Sequence, residues 1–340
     1  LQKREENELS QAFTAYNTRI VAPPHGSMLP MSPVRKNILM VACALGLLIP
    51  VVIIFICENM NTRVRGRKDL ESVTVPFIGE IPLFTRKKKG IFRKKPQEVR
   101  AIVVKEGSRD IINEAFRVLR TNLEFMTGKD KASNVIIVTS FNPGSGKSFL
   151  TMNIAVSFAI KGKKVLVIDG DLRHGSASSY IDSPTKGLSD YLGGRIDNLN
   201  EIIVTNPKQK YLDILPVGTI PPNPTELLFD DRLKQVIDTV REQYEYVLID
   251  CPPIELVADT QIIEKLADRT IFVVRAGLLE LSMLAELEKI YGEKKYKNMS
   301  LILNGTEGSG GRYGYRYGYR YGYHYGYGSG YHYGSDEKHN

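Results

Sequence analysis

From about Ala101 onward, short runs of consecutive apolar residues alternate with longer segments in which apolar residues recur at helical spacing. An uninterrupted apolar run indicates a strand buried on both faces, whereas a strand with one solvated face alternates apolar and polar residues. Buried strands that alternate with helices predict an α/β fold, a mostly parallel sheet with helices on both faces. The strand candidates, in chain order, are NVIIVTS, KVLVIDG, YLDILPVG, YVLIDCP, TIFVVRAG and LILNG.

A longer apolar run lies nearer the N-terminus. Residues 38–57 carry no charge over twenty positions, and ~20 apolar residues is the length that an α-helix needs to cross a bilayer core. We therefore predict a transmembrane helix. Only Arg35 and Lys36 lie close before the run, whereas many basic residues follow it, including those of RKKKGIFRKK at 86–95. By the positive-inside rule, the chain after residue 57 is expected in the cytoplasm.

The net charge of +8 and the pI of about 9.1 also require an explanation. Much of the positive charge follows the predicted transmembrane helix, where it indicates contact with anionic membrane lipid. We therefore expect no nucleic-acid partner. The three cysteines, Cys43, Cys57 and Cys251, are scattered, and no Cys/His cluster has metal-ligand spacing. The sequence thus predicts neither a disulfide framework nor a zinc site.

The first strand candidate is followed by the segment SFNPGSGKS. It places Gly144, Gly146, Lys147 and Ser148 between a predicted strand and a predicted helix, which is the context of a phosphate-binding loop. Glycines let backbone N–H groups converge on phosphates, the lysine reaches the β- and γ-phosphates, and the serine hydroxyl ligates Mg²⁺. Phe141 stands where the usual motif has its first glycine. The predicted ATP-binding residues are Asn142, Pro143, Gly144, Ser145, Gly146, Lys147, Ser148 and Phe149.

Aspartates lie at the ends of two further strand candidates. Asp169 and Asp171 close VLVIDGD, and Asp250 closes YVLID. The carboxyl ends of parallel strands meet at the edge where such sheets bind ligands. Carboxylates gathered there need a cation, and Mg²⁺ bound to ATP supplies one. We predict that Lys147 and the three aspartates are catalytic, and that Ser148, Asp171 and Asp250 bind the metal.

The C-terminal segment has a different composition. Tyrosine and glycine alternate over residues 312–334 with occasional arginine or histidine, and no aliphatic residue is available to form a core. Such a composition is also typical of a low-complexity tail that adheres weakly to other chains. Ten of the eighteen tyrosines lie here: Tyr313, Tyr315, Tyr317, Tyr319, Tyr321, Tyr323, Tyr325, Tyr327, Tyr331 and Tyr333.

Together these features resemble the bacterial tyrosine kinases, autokinases attached to polysaccharide co-polymerases in capsule and exopolysaccharide export. The resemblance rests on SFNPGSGKS, VLVIDGDLR, VLIDCPP, GTIPPNPTELL and the tyrosine cluster, and extends to the membrane segment with its proline-rich approach. It implies a P-loop NTPase-like fold, ATP and Mg²⁺ as cofactors, and phosphorylation of the tail tyrosines in trans within a ring-type homo-oligomer. Further partners implied are the polysaccharide polymerase and export machinery, a cognate tyrosine phosphatase and membrane lipid.

The resemblance also implies a domain layout in the bacterial inner membrane. Because the chain begins at Leu1, we expect further periplasmic sequence before it. The expected regions are the end of a periplasmic part with its proline-rich approach (1–37), the transmembrane helix (38–57), a basic cytoplasmic juxtamembrane segment (58–100), the kinase domain (101–308) and the autophosphorylation tail (309–340).

Two role assignments follow from chemistry and resemblance together. A tyrosine hydroxyl has a pKa of about 10, so a nearby carboxylate that accepts its proton helps; we expect Asp169, with Asp171 almost as good a candidate. In the predicted helix at 111–126, the spacing of Glu114, Arg117 and Arg120 alone favours an exposed face with ion pairs. The resemblance implies that these three residues dock on the adjacent subunit.

Other functions remain open from the sequence. One is an ATP-dependent positioning module without kinase activity, and another is a non-enzymatic regulator of polysaccharide chain length. The related ATPases that position division sites and partition DNA carry a signature lysine five residues before the shared lysine of the loop. This chain has Asn142 there, which argues against that group.

Overall fold

The computed structural model describes residues 2–15, 26, 34–84, 101–127, 134–207, 209–255 and 258–307. The chain divides into two compact units, Leu1–Asn61 and Thr62–Asn340. Much of the proline-rich approach, the RKKKGIFRKK segment and all ten tail tyrosines lie outside the described residues.

The first unit contains two helices, α1 (Gln2–Ala15) and α2 (Arg35–Asn59). In the described part of the chain, α2 is the one helix whose length and composition allow it to cross a membrane, over Arg35–Ile56. The predicted transmembrane segment 38–57 lies entirely within α2, and the helix continues through Pro50.

The second unit is built on one sheet of eight strands. Their order across the sheet is β1-β8-β7-β2-β6-β3-β5-β4, and every neighbouring pair is parallel except the edge pair β4 and β5. The predicted α/β fold is therefore confirmed. The strands are β1 (Phe77–Pro82), β2 (Asn134–Thr139), β3 (Val165–Asp169), β4 (Val204–Thr205), β5 (Leu212–Leu215), β6 (Tyr246–Asp250), β7 (Arg269–Arg275) and β8 (Ser300–Thr306).

Helices cover both faces of this sheet. The central strands are buried along their lengths, and two hydrophobic clusters form the core, as a doubly covered sheet requires. One cluster contains the phosphate-loop helix and the preceding helix, and the other contains the helices that follow the later strands. The helices are α3 (Ile111–Thr127), α4 (Lys147–Ile160), α5 (Leu188–Leu192), α6 (Pro224–Phe229), α7 (Asp231–Gln243), α8 (Asp259–Glu264) and α9 (Met283–Gly292).

The start of the second unit differs from the expected boundary at residue 101. The unit begins at Thr62, and β1, which lies within the expected juxtamembrane segment, pairs with β8 at the sheet edge. Ile78 and Ile81 of β1 are buried, and Asn122 of α3 donates a hydrogen bond to the Ile78 carbonyl at 2.8 Å. A short edge strand with only two buried residues lacks the continuous apolar run that identified the central strands.

Candidate active site

The phosphate-binding loop connects β2 to α4, as the sequence predicts. Gly146 precedes the helix with φ of 86°, a left-handed conformation that favours glycine. A Cβ atom at Gly146 would also lie 2.3 Å from Asn304 Nδ2. That amide nitrogen donates to the Ser145 carbonyl at 2.8 Å, so Asn304 near the end of β8 fixes the position of the loop by a hydrogen bond.

Asn304 is a site residue that was not predicted from the sequence. The same pattern that identified the aspartates could have identified Asn304, because it is a polar residue at the carboxyl end of an otherwise apolar strand candidate, LILNG.

Phe141 explains the departure from the usual loop motif. Its side chain is buried and packs edge-to-face on Phe272 of β7, with ring centroids 4.9 Å apart. The position that usually holds a glycine therefore anchors the start of the loop in the hydrophobic core. The rest of the loop keeps its glycines where the chain turns, because Gly144 and Gly146 both have positive φ.

Hydrogen bonds within the loop hold it in a defined shape. The hydroxyls of Ser140 and Ser145 both donate to the Asn142 carbonyl, each at 2.8 Å. Lys147 is largely buried, and its Nζ donates to Ser140 Oγ at 3.3 Å. Pro143 and Gly144 are exposed at the tip.

Two other predicted ATP-binding residues contact neighbouring elements. The Asn142 side chain donates to Glu255 Oε2 at 3.1 Å. Phe149 packs on Phe116 of α3, with ring centroids 6.0 Å apart.

The three predicted aspartates lie at the carboxyl ends of β3 and β6. Asp169 and Asp250 are paired across these adjacent strands, and Asp171 follows two residues after Asp169. All three are buried, Asp169 completely. The structure therefore brings the two strand ends together, as the sequence predicts.

Burial and mutual repulsion shift the ionisation of two of these carboxyls. Burial is the main cause that raises the pKa of Asp169 to about 7, and the Asp171 charge adds to the rise, while hydrogen bonds from Ser178 oppose it. Burial and then the Asp169 charge raise the pKa of Asp250 to about 8, while Ser148 and Lys147 oppose the rise. Both carboxyls therefore keep their protons to a higher pH than an ordinary aspartate, and a nearby cation would favour their ionised form.

The carboxylate oxygens differ in their partners. Asp169 Oδ2 accepts hydrogen bonds from Ser178 N at 2.6 Å and Ser178 Oγ at 2.7 Å. Asp171 Oδ1 accepts from the backbone N–H groups of Arg173 and His174, at 3.3 and 3.2 Å. Within the described residues, Asp169 Oδ1 and both oxygens of Asp250 have no hydrogen-bond partner of ordinary geometry.

These orphaned buried oxygens fit a divalent cation, whose preferred ligands are oxygen atoms. In the described ranges, however, no group of three His, Cys, Asp or Glu side chains is arranged to hold a metal ion. A cation here would therefore need ligands from outside that group, and the Ser148 hydroxyl beside Asp250 is a candidate together with the phosphates of a bound nucleotide. The donor set fits a metal that arrives with a nucleotide rather than a permanently bound one.

A side-chain network connects the aspartate-rich loop to the GTIPPNPTELL segment. Arg173 donates to Asp259 Oδ2 at 3.1 Å and to Thr225 Oγ1 at 2.9 Å, and the Thr225 hydroxyl donates to Asp259 Oδ1 at 2.7 Å. Arg173 and Thr225 lie in motifs that the sequence analysis quoted without assigning them a role. The network holds the loop after β3 against α6 and α8.

Glu114, Arg117 and Arg120 lie on α3, apart from the loops at the strand ends. Arg117 forms an ion pair with Glu114, and both are partly or fully exposed. Arg120 instead donates to the Ser157 carbonyl of α4 at 2.8 Å.

Comparisons with known proteins match the region of the chain that contains these residues. The family model described as an AAA domain matches residues 133–301. The chain is 35% identical over 218 residues to the tyrosine-protein kinase YwqD of Bacillus subtilis, an alignment that covers 64% of this chain and 91% of that protein. It is 32% identical over 330 residues to the putative tyrosine-protein kinase AmsA of Erwinia amylovora, covering 93% of this chain and 44% of AmsA. The chain thus spans less than half the length of AmsA.

The chain also matches the solved structure of a tyrosine kinase domain. The kinase domain of the Escherichia coli tyrosine kinase ETK has a TM-score of 0.62 and 29% sequence identity, covering 78% of this chain and 100% of that chain. Because the alignment with YwqD spans 91% of that protein at 35% identity, the chain belongs to the family of bacterial tyrosine-protein kinases.

Proposed function

We propose that this chain is an ATP-dependent protein-tyrosine autokinase that phosphorylates its C-terminal tyrosine cluster in trans. The observation that carries the proposal is the pair of buried aspartates, Asp169 and Asp250, facing each other beside a phosphate loop without hydrogen bonds to three of their oxygens. Such an arrangement costs stability unless it serves a cationic ligand.

The residues of the loop bind and orient ATP. Backbone N–H groups at the start of α4 and the Lys147 ammonium hold the β- and γ-phosphates. Ser148, Asp171 and Asp250 would hold Mg²⁺ with the phosphates, and the ion would neutralise charge as it develops on the γ-phosphoryl group. Because the loop is already shaped by its internal hydrogen bonds, it needs little rearrangement to bind phosphate.

The transfer step needs a base for the incoming tyrosine. The tyrosine oxygen forms a bond to the γ-phosphorus, the bond from that phosphorus to the β,γ-bridging oxygen breaks, and ADP leaves. We assign Asp169 as the group that accepts the phenolic proton, supported by its pKa of about 7 and its unpartnered Oδ1. Ser178 holds the other oxygen and so fixes the orientation of the carboxylate.

The tail is suited to be the substrate. Tyr313 follows the end of β8 at Thr306 by seven residues, and an extended chain covers ~3.3 Å per residue. The tyrosines can therefore reach a neighbouring subunit. For such a neighbour we propose a ring-type homo-oligomer in which α3 docks through Glu114, Arg117 and Arg120. The exposure of the Glu114–Arg117 pair is compatible with this role.

We further propose a place for this activity in the cell. Helix α2 would anchor the chain in the bacterial inner membrane, with the second unit in the cytoplasm, basic residues on the lipid surface and the N-terminal part in the periplasm. The kinase would regulate an exopolysaccharide or capsule export and chain-length system. Its partners would be the polymerase and export machinery and a cognate tyrosine phosphatase.

The test is to incubate the purified chain with ATP and Mg²⁺ and to map phosphotyrosine by mass spectrometry. We expect phosphate on residues 313–333 and none after Lys147→Met, which removes the ammonium that contacts the phosphates. Asp169→Asn should lower the transfer rate by about 10²- to 10⁴-fold, the usual contribution of a general base, while ATP still binds. Release of inorganic phosphate without phosphotyrosine would instead identify an ATPase and contradict the kinase proposal.

A further inference from the structure

A groove opens beside the phosphate loop, on the face of the sheet that carries α8 and α9. Its volume is about 260 Å³, and its lining includes Phe141, Met283 and Tyr296. It is smaller than the ~300–1,000 Å³ of typical small-molecule sites, so it suits one or two side chains rather than a whole cofactor. The rings of Phe141 and Tyr296 are nearly covered, so the accessible apolar lining consists mainly of Ile254 and Met283. A thioether packs well against an aromatic ring.

The rim of the groove is acidic. Glu255 and Glu286 both line it, and Glu286 lies 3.9 Å from Lys289 in an exposed pair. The one lysine in the lining, Lys295, forms an ion pair at 2.8 Å with Glu293 and also interacts with the charge of Glu286, so the lining itself carries two carboxylates against one ammonium group. The groove therefore favours a ligand that carries a cation next to an apolar or aromatic group.

The groove also leads directly to the active site. Glu255 at its rim accepts the hydrogen bond from Asn142 of the phosphate loop at 3.1 Å, and Phe141 at its base is the first residue of the segment Phe141–Phe149. A peptide held in the groove would therefore have its next residues within a short distance of the phosphate loop.

The tail carries the matching chemistry. Arg312, Arg316 and Arg320 recur every four residues, and tyrosines flank Arg316 and Arg320 on both sides. The tail begins after β8, at the same edge of the sheet as the groove rim, because β6 and β8 run parallel within one sheet. Arginine beside tyrosine is a combination that an acidic rim next to a thioether recognises, because the carboxylates accept hydrogen bonds from the guanidinium and the sulfur packs on the phenol ring.

We propose that the groove between α8 and α9 is a docking site for the unphosphorylated Arg–Tyr repeats of the tail of a second copy of this chain. The inference rests on the proposed kinase function and adds a substrate-positioning surface outside the reacting centre. Glu286 acts as a positioning residue, since an arginine bound to it holds an adjacent tyrosine near the phosphate loop. Each phosphate added to the tail brings about −1.5 to −2 charges, which Glu255 and Glu286 repel, so the product leaves.

The test measures transfer between two copies of this 340-residue chain in detergent micelles. The substrate chain carries Lys147→Met and an affinity tag, so that only labelling by the other chain is counted. With Glu286→Gln in the enzyme chain, we expect KM for the substrate chain to rise about two- to five-fold, as expected for loss of one exposed ion pair. The KM for ATP and the rate at saturating substrate should not change. The matched control is Glu242→Gln, a similar loss of charge on the exposed side of α7, which should alter neither constant.

A double-mutant cycle makes the test specific to the tail. The substrate changes Arg312→Gln, Arg316→Gln and Arg320→Gln should raise KM with the unmodified enzyme and have a smaller effect with the Glu286→Gln enzyme. Additive effects, an unchanged KM for the Glu286→Gln enzyme, or an effect of Glu286→Gln only when placed in the substrate chain would overturn the docking site while leaving the kinase assignment intact. Absence of phosphotyrosine with the unmodified pair would contradict the proposed function itself, and the docking site with it.

Discussion

At the scale of single residues, the site contains two buried carboxyls, Asp169 and Asp250, whose burial lowers the stability of the folded chain near neutral pH. The pKa of Asp169 is raised to about 7 and that of Asp250 to about 8, in both cases mainly by burial. In the unfolded chain both carboxyls ionise near pH 4. Because the folded state holds these protons more tightly, the free energy of unfolding falls as pH rises from about 4 toward the folded pKa values.

This linkage leads to a prediction for Asp250→Asn. The amide removes the buried ionisable group and its repulsion with Asp169, so the variant should be more stable than the parent chain without nucleotide. The gain should grow between about pH 5 and 8 and reach at least about 1 kcal/mol, or about 2–4 °C in Tm for a domain of this size. Phosphotyrosine formation should fall to background because a proposed metal ligand is lost.

Thermal unfolding across this pH range, with and without Mg-ATP, checks the Asp250→Asn prediction. Asp238→Asn on the exposed side of α7 is the matched control and should show no gain that depends on pH. A lower Tm for Asp250→Asn at every pH would mean that Asp250 stabilises the fold, and the argument from buried repulsion would be wrong.

At the scale of elements, α3 combines a packing face with an exposed face. Phe116, Leu119 and Leu123 are fully buried, and α3 packs on β1 and α4. It has four charged residues, of which Glu124 forms an ion pair with Lys161, and the other three divide between the two faces. Arg120 bonds to α4 of its own chain, whereas Glu114 and Arg117 pair with each other at the surface.

Mutation of Arg120 and mutation of the Glu114–Arg117 pair should therefore have different effects. Arg120→Ala removes a hydrogen bond from a charged donor to the Ser157 carbonyl and should lower Tm by a few degrees, equivalent to about 1 kcal/mol. Glu114→Ala with Arg117→Ala should leave Tm nearly unchanged, since exposed i,i+3 pairs contribute only ~0.2–0.5 kcal/mol, but should reduce oligomer formation. Light scattering and thermal unfolding of the same samples separate the effects. Normal assembly of the double variant would remove these two residues from the proposed interface.

At the level of elements, the sequence predicts those strands whose residues form a continuous apolar run. Six continuous apolar runs predict the central strands, and aspartates at two of their ends predict the pair that the structure brings together. β1 is different because its burial depends on α3, whose Leu119 side chain lies 3.3 Å from where a Cβ at Gly79 would be. The support of Gly146 by Asn304 depends on a contact between residues 158 positions apart, which no local pattern encodes.

At the scale of the whole molecule, the net charge of the tail changes sign when its tyrosines are phosphorylated. The tail carries Arg312, Arg316, Arg320 and Lys338 against Asp336 and Glu337, so it is weakly basic before modification. Phosphate adds about −1.5 to −2 charges at each tyrosine, so two transfers are enough to make the tail acidic. In the proposed assembly each tail binds a neighbouring subunit. Phosphorylation of the tail by that neighbour should therefore weaken the contact that holds the assembly together.

We therefore predict that ATP with Mg²⁺ converts the oligomer of the full chain into smaller species as phosphotyrosine accumulates. Light scattering in detergent, sampled together with intact mass, should show dissociation that follows the number of phosphates rather than the time with nucleotide. The Lys147→Met chain should keep its size under the same conditions, which separates the effect of phosphate on the tail from the effect of ATP in solution. Dephosphorylation by an added tyrosine phosphatase should restore the oligomer, because it returns the tail to positive charge. An oligomer that keeps its mass with several phosphates on every tail would show that tail charge does not control assembly.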